Sequence, residues 1–291
     1  MGILFSRDTL VSLFCSFSIL FLGLFLHWIH HYPFSWPEIG RFLTLVLVGI
    51  GIFLAGKLGD YPSWCSLGWT LGLIFWLVAC SVVTLHVLPL TPFPWIDKFL
   101  AHIDQELFFS TANFSMWMRG QYPLINNLLS GFYCFFPYET FLCFLVLPLF
   151  NPNRSRELVF LISFAGFLGF FIYFFFPAIG PMAIEHYVLS AQEADLFKNI
   201  VLLRELKSLP NYFLEGSISF PSYHTIWALI FAWVWRDHKW IFWPLVLINM
   251  LIIISTLSTG WHYLSDVLGG GLIFLIAVMA ERRVHVTHRP H

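Results

Sequence analysis

Apolar runs of roughly twenty residues recur along this chain, each long enough to cross a hydrocarbon core of about 30 Å. Inside lipid every backbone amide must be satisfied within the segment or its neighbours, so such runs predict an all-α, polytopic membrane helix bundle. Eight spans are predicted, at about 9–30, 40–56, 66–88, 124–150, 157–176, 222–238, 240–258 and 262–281. The first, from Leu10 to Ile29, is longer than a signal-peptide core and lacks a small-residue cleavage site, so it is expected to remain as a span. Composition agrees, since 58% of the 291 residues are hydrophobic and 11% charged, more apolar surface than one water-soluble core can hide. A formal net charge of −1 without any block of like charges argues against nucleic acid or an acidic soluble partner and leaves membrane lipids as the expected partners. Cys15, Cys65, Cys80, Cys134 and Cys143 show no Cys-x-x-Cys spacing and read as packed or lipid-facing thiols.

Short polar stretches punctuate the spans. Those at 57–62, 151–157 and 236–239 fall on one side and those at 30–37 and 258–261 on the other. The first side collects Arg7, Lys57, Arg154, Arg156, Arg236, Lys239, Arg282, Arg283 and Arg289, so the positive-inside rule makes it cytoplasmic, with both termini there. Two long connections, about 89–123 and 177–221, then lie outside, and each holds an amphipathic segment expected to lie in the interface and roof the outer mouth. In one, Phe99, Leu100, Ile103 and Leu107 share a helical face while Asp97, Lys98, Asp104 and Gln105 fall elsewhere; in the other, from Ala191 to Leu206, the apolar side holds Ala194, Phe197, Ile200 and Val201. The organisation expected is N-terminal membrane helices over 1–89, a catalytic membrane region over 90–281 and a cytoplasmic tail over 282–291.

Two polar clusters open spans on the outer side. In Phe220-Pro221-Ser222-Tyr223-His224 a proline suited to a first helical turn precedes the sixth span, and the amides of Ser222, Tyr223 and His224 would point outward as an anion site. In His262-Tyr263-Leu264-Ser265-Asp266, His262 and Asp266 sit four apart on one helical face at the start of the eighth span. A carboxylate so placed holds one ring nitrogen of His262 and leaves the other free as a nucleophile, while His224 from another helix can protonate a departing oxygen. Two full spans and a short turn separate the histidines, which returns both to the same face. Lone histidines near span ends, His27, His30, His31, His86 and His186, read as interfacial residues, and the tail histidines as solvated.

These motifs resemble those of the phosphatidic acid phosphatase type 2 superfamily, in particular its inositol phosphorylceramide synthase-like and sphingomyelin synthase-like branch. Pro221-Ser222-x-His224 is similar to the family's Pro-Ser-x-His motif, His262-Tyr263-x-x-Asp266 with Gly269 or Gly270 to its His-Tyr-x-x-Asp-Val-x-x-Gly motif, and the stretch from Phe174 to Pro181 to the branch's Pro-x-x-x-Pro turn. The resemblance covers about 90–281 and implies a metal-independent reaction without a cofactor: His262 as the nucleophile forming a phosphohistidine, Asp266 orienting it, His224 as general acid. The chain departs from the phosphatase branch where that branch carries a Lys-x6-Arg-Pro motif and an arginine six residues before the second histidine; Thr256 stands there, and 170–182 holds no basic residue. Phosphate charge would instead fall to the amides at Ser222, Tyr223 and His224 and to Arg119, Arg204 or Lys207. The missing arginines favour transfer of a phospho-headgroup to a lipid acceptor, with hydrolysis close behind.

Glu139 is a further site candidate. From a span start near Ile125 it would lie about 21 Å deep, too far to reach a mouth-level site; from a start at Gly131 it would reach. Two other readings of the His and Asp residues stay open on spacing alone: proton coupling in a non-enzymatic transporter, and metal binding through His224, His262 and Asp266.

Overall fold

The computed structural model describes residues 6–34, 36–184, 191–205 and 218–286. Among these residues there are eleven α-helices and no strand. The helices are α1 (Arg7–His30), α2 (Trp36–Leu58), α3 (Pro62–Leu85), α4 (Asp97–Glu106), α5 (Thr111–Gln121), α6 (Pro123–Phe150), α7 (Pro152–Phe175), α8 (Ala191–Arg204), α9 (Tyr223–Val234), α10 (Lys239–Ser258) and α11 (Leu264–Val286). Seven of them are long and apolar enough to cross a membrane. Their starts follow local chemistry: Pro62, Pro123 and Pro152 take first-turn positions that need no amide donor, and the Asn151 side chain accepts from the Arg154 amide to cap α7.

The sixth predicted span is shorter than its sequence suggests. α9 has 12 residues, about 18 Å at 1.5 Å per residue, and stops at Val234. The chain then turns through Trp235 and Arg236, because the Arg236 guanidinium is drawn to Glu157 on α7, with Nη2 at 2.8 and 3.0 Å from its two oxygens. Glu157, 4% exposed, also accepts from Trp233 Nε1 at 2.9 Å and from Arg154, which in turn holds Asp237 at 2.7 and 2.8 Å. This network closes the end of the bundle opposite the starts of α9 and α11.

α7 is the hub, packed against α1, α3, α6, α9 and α11 around Leu158, Phe160, Ile162, Ala165 and Tyr173 in the main apolar core. α2 packs chiefly on α3 and leaves most of its surface to lipid. The α2–α3 contact is set by glycines: a Cβ at Gly68 would lie 2.2 Å from the Phe53 amide nitrogen, and one at Gly49 2.6 Å from that of Gly72. Gly68→Val is therefore expected to push α2 off α3 and to cost about 1–3 kcal/mol, seen as a lower midpoint of thermal unfolding in detergent.

Three features of the long connections differ from the sequence reading. α4 forms where predicted, yet Phe99 is 61% and Leu107 47% exposed, whereas Asp97 and Asp104, read as lying off the apolar face, are 2% and 1% exposed. Their carboxylates are buried because backbone amides from other segments meet them. α8 buries Leu196, Ile200 and Leu203, an i, i+4, i+7 stripe, and leaves Ala194 outside. α5 was not anticipated at all; its mixture of Asn113, Ser115 and Arg119 with aromatics hides the helical period. His186, Lys207, His288 and His291 lie outside the described residues.

Candidate functional site

α9 and α11 begin at the same end of the bundle, and their first turns bring two imidazoles together. His262 Nε2 is 3.4 Å from His224 Nδ1, with ring centroids 5.6 Å apart and planes at 69°. On its other side, His262 Nδ1 is 3.3 Å from Asp266 Oδ2. With the proton on Nδ1, His262 donates to the carboxylate and its Nε2 lone pair faces His224.

Asp266 is fully buried and its Oδ2 gathers several donors: Ser219 Oγ at 2.6 Å and the Tyr263 amide at 2.9 Å as well as the imidazole. Its carbonyl accepts from the Ser222 amide at 3.1 Å, tying the start of α11 to the start of α9. The two strands of chain can meet because α11 carries glycines there: a Cβ at Gly270 would sit 2.7 Å from the Ser222 carbonyl oxygen, and one at Gly269 2.7 Å from the Phe220 ring. His224 is braced from α6, stacked on Tyr133 at 4.7 Å and touching Phe136 at 5.1 Å between centroids. The loop before His262 is fixed by α5, since Thr111 Oγ1 donates to the His262 carbonyl at 3.0 Å.

The remaining candidates fall in distinct places. Ser222 caps α9, its Oγ accepting from the Thr225 amide at 3.3 Å, so its own amide and hydroxyl are both engaged and the open first-turn amides are those of Tyr223 and His224. The Tyr223 side chain points away, its hydroxyl donating to the Gly166 carbonyl on α7 at 2.9 Å. Arg119 donates to the Thr259 carbonyl at 2.7 Å, three residues before His262. Arg204 is engaged elsewhere, bonding the carbonyls of Pro89, Thr91 and Phe93 at 2.8, 3.2 and 2.8 Å and lying over the Trp95 ring. α6 starts at Pro123, so Glu139 lies deep along that helix, where its Oε1 accepts from Asn249 Nδ2 on α10 at 2.7 Å. Depth along α6 is nevertheless a poor guide to distance from the histidines, because Phe136, one turn earlier, already touches His224.

Ser219, Tyr133, Asp97 and Asp104 were missed. Ser219 stands two residues ahead of Pro221 in an unremarkable Ser-Ile-Ser run, and nothing local marks it. Ser219→Ala removes a hydrogen bond to a buried carboxylate, about 1.5–3 kcal/mol, and is expected to lower kcat roughly ten- to a hundredfold through a loosened Asp266, measurable as steady-state turnover. Burial pushes the Asp97 carboxyl up to about 6, against the amides of Gly180 and Ile179 that favour its ionised form. Burial raises Asp104 as well, against the amides of Ser265 and Leu264. Among the described residues no three His, Cys, Asp or Glu side chains converge as ligands of one metal ion.

Fold and cluster together define a polytopic helical membrane protein with two imidazoles and a carboxylate in hydrogen-bond sequence at one end of its bundle. A family model described as the PAP2 superfamily matches residues 98–280, more than half of the chain, and the chain belongs to that superfamily. The match runs from α4 into α11 and leaves α1–α3 outside. No curated protein and no solved structure matches the chain. Membership and the long apolar helices fit a membrane lipid phosphatase or phosphotransferase.

Proposed function

We propose that the chain transfers a phospho-headgroup from one membrane lipid to a hydroxyl acceptor through a phosphohistidine on His262. The observation that carries this reading is the ordered contact Asp266 Oδ2, His262, His224, at 3.3 and 3.4 Å. In the first step His262 Nε2 forms a bond to phosphorus, the ester P–O bond breaks, and His224 supplies a proton to the leaving oxygen. Asp266 stabilises the positive charge that builds on His262. In the second step an acceptor hydroxyl loses its proton to His224 and its oxygen attacks phosphorus; the P–N bond breaks and both imidazoles return to their starting state.

A lipid alcohol and water are equivalent nucleophiles in that second step, so hydrolysis is the runner-up. Transfer is favoured by the basic residues the phosphatase branch has and this chain lacks, at Thr256 and throughout 170–182. The open amides of Tyr223 and His224 at the α9 N-terminus, with Arg119 near the 259–262 loop, are our candidates for holding the phosphoryl oxygens. The weight of Arg and Lys at the opposite end of the bundle supports a site on the non-cytoplasmic face, with both termini cytoplasmic.

The test is incubation of the purified chain in nanodiscs with labelled phospholipids, with and without ceramide, diacylglycerol or inositol. New labelled lipid is the expected product. Free phosphate or free phospho-headgroup alone would assign hydrolysis instead, and neither product from any donor would end the catalytic reading.

A further inference from the structure

Asp97 and Asp104 stand seven residues apart on α4, two helical turns, and so share one face. That face is buried, and each carboxylate there meets amides of a distant segment. Asp97 accepts from Gly180 at 2.8 Å and from Ile179 at 3.1 and 3.2 Å. Asp104 accepts from Leu264 at 2.7 Å with one oxygen and from Ser265 at 2.8 Å with the other.

Leu264 and Ser265 provide the first amides of α11, which a helix cannot satisfy from within. A Ser, Thr, Asp or Asn at the preceding position would ordinarily accept from this turn. Tyr263 stands there instead, and its hydroxyl is used on the Gly180 carbonyl at 3.2 Å. Asp266 completes only the return half of a capping box, accepting from the Tyr263 amide. The missing acceptor comes from 160 residues earlier in the chain.

We propose that Asp104 is a positioning residue: acting as an external cap on α11, it fixes the first turn that presents His262 and Asp266, while Asp97 anchors α4 so that the cap cannot retreat. The hydrogen bonds form a closed circuit around the site. Asp97 holds Ile179 and Gly180; the neighbouring Ala178 carbonyl accepts from the Ser219 amide at 3.3 Å; Ser219 Oγ donates to Asp266; and α11 returns through Leu264 and Ser265 to Asp104. A negative charge at this helix start is favoured by the α11 dipole, which offsets part of the burial cost. α4 is thereby the beam from which two loops bearing the site are hung, and its amphipathic pattern serves the site as much as the interface.

The kinetic arm of the test rests on the phosphoryl-transfer reading; the exchange arm does not. Asp104→Asn, Asp104→Ala and Asp104→Glu are compared with the unaltered full chain in nanodiscs. Backbone amide exchange of the peptide spanning 262–268 is followed by mass spectrometry, and kcat and KM are measured on the phospholipid donor found active. Asp104→Asn is expected to speed exchange at Leu264 and Ser265 about tenfold or more and to lower kcat about ten- to a hundredfold, with KM within about threefold of the parent. Asp104→Glu, which keeps the acceptor, is expected to recover part of both. Unchanged exchange in Asp104→Asn and Asp104→Ala overturns the proposal, as does a kcat loss that merely tracks loss of folded protein on size exclusion. If the unaltered chain turns over no phospholipid, the phosphoryl-transfer reading fails while the exchange arm still decides the cap.

Discussion

Replacing His262 with alanine is expected to lower turnover of a phospholipid donor by on the order of ten thousandfold or more, with yield and elution on size exclusion unchanged. The side chain is buried, but its ring contacts are to His224 and Asp266, so truncation removes the proposed nucleophile without touching the apolar core. His224→Ala should be milder on a donor with a good leaving group, because such a group needs no proton; with an ordinary alkoxide leaving group a loss of about a hundred- to ten-thousandfold is expected. A labelled phospholipid should leave acid-labile label on the parent and none on His262→Ala. Label retained on that variant would move the nucleophile elsewhere. The double replacement is expected to cost no more than His262→Ala alone, since in the proposed reaction the two rings act in one step.

The largest stability effect is expected from Glu157→Ala. Three donors converge on that carboxylate, the guanidinium groups of Arg154 and Arg236 and the Trp233 indole, and removal takes the carboxylate from the partly buried Arg236 while Arg154 keeps Asp237. Breaking a buried ion pair on one side costs about 3–5 kcal/mol, more than any single apolar truncation in α2 should. Thermal unfolding in detergent is the measurement, and a midpoint within a degree of the parent would mean that the network is solvated in practice. Per folded molecule, kcat should stay near the parent value, because Glu157 lies at the far end of α7 from the histidines. Glu157→Gln, which keeps one acceptor oxygen, should fall between the two.

Hydropathy alone located the long helices, since a run such as Pro152–Phe175 admits no other solvent than lipid or core. Pattern also placed His224, His262 and Asp266 at helix starts on a common face, because two passes and a short turn between the histidines leave little geometric freedom. What local pattern cannot show is who answers a polar group from afar. Asp97 and Asp104 read as lying off the apolar face of α4, yet their partners are amides 82 to 161 residues away. Ser219 likewise gains its meaning only from Asp266, 47 residues on. Glu139 was judged by depth along its own helix, and its partner Asn249 on α10, 110 residues away, is equally invisible to local pattern. The length of α9 was overestimated because Trp235 continues its apolar run, and only Glu157 on another helix explains why the chain turns there.

The packing of His224 against α6 bears on the competition between alcohol and water. α6 has 28 residues, about 42 Å, and Tyr133 and Phe136, which flank His224, lie ten and thirteen residues beyond its first, so the imidazoles sit roughly 15–20 Å down its length. On that flank aromatic rings, not solvent, line the His224 imidazole. On the phosphoryl-transfer reading, apolar surroundings of this kind thin the water near a phosphorylated imidazole and so favour its capture by a lipid alcohol.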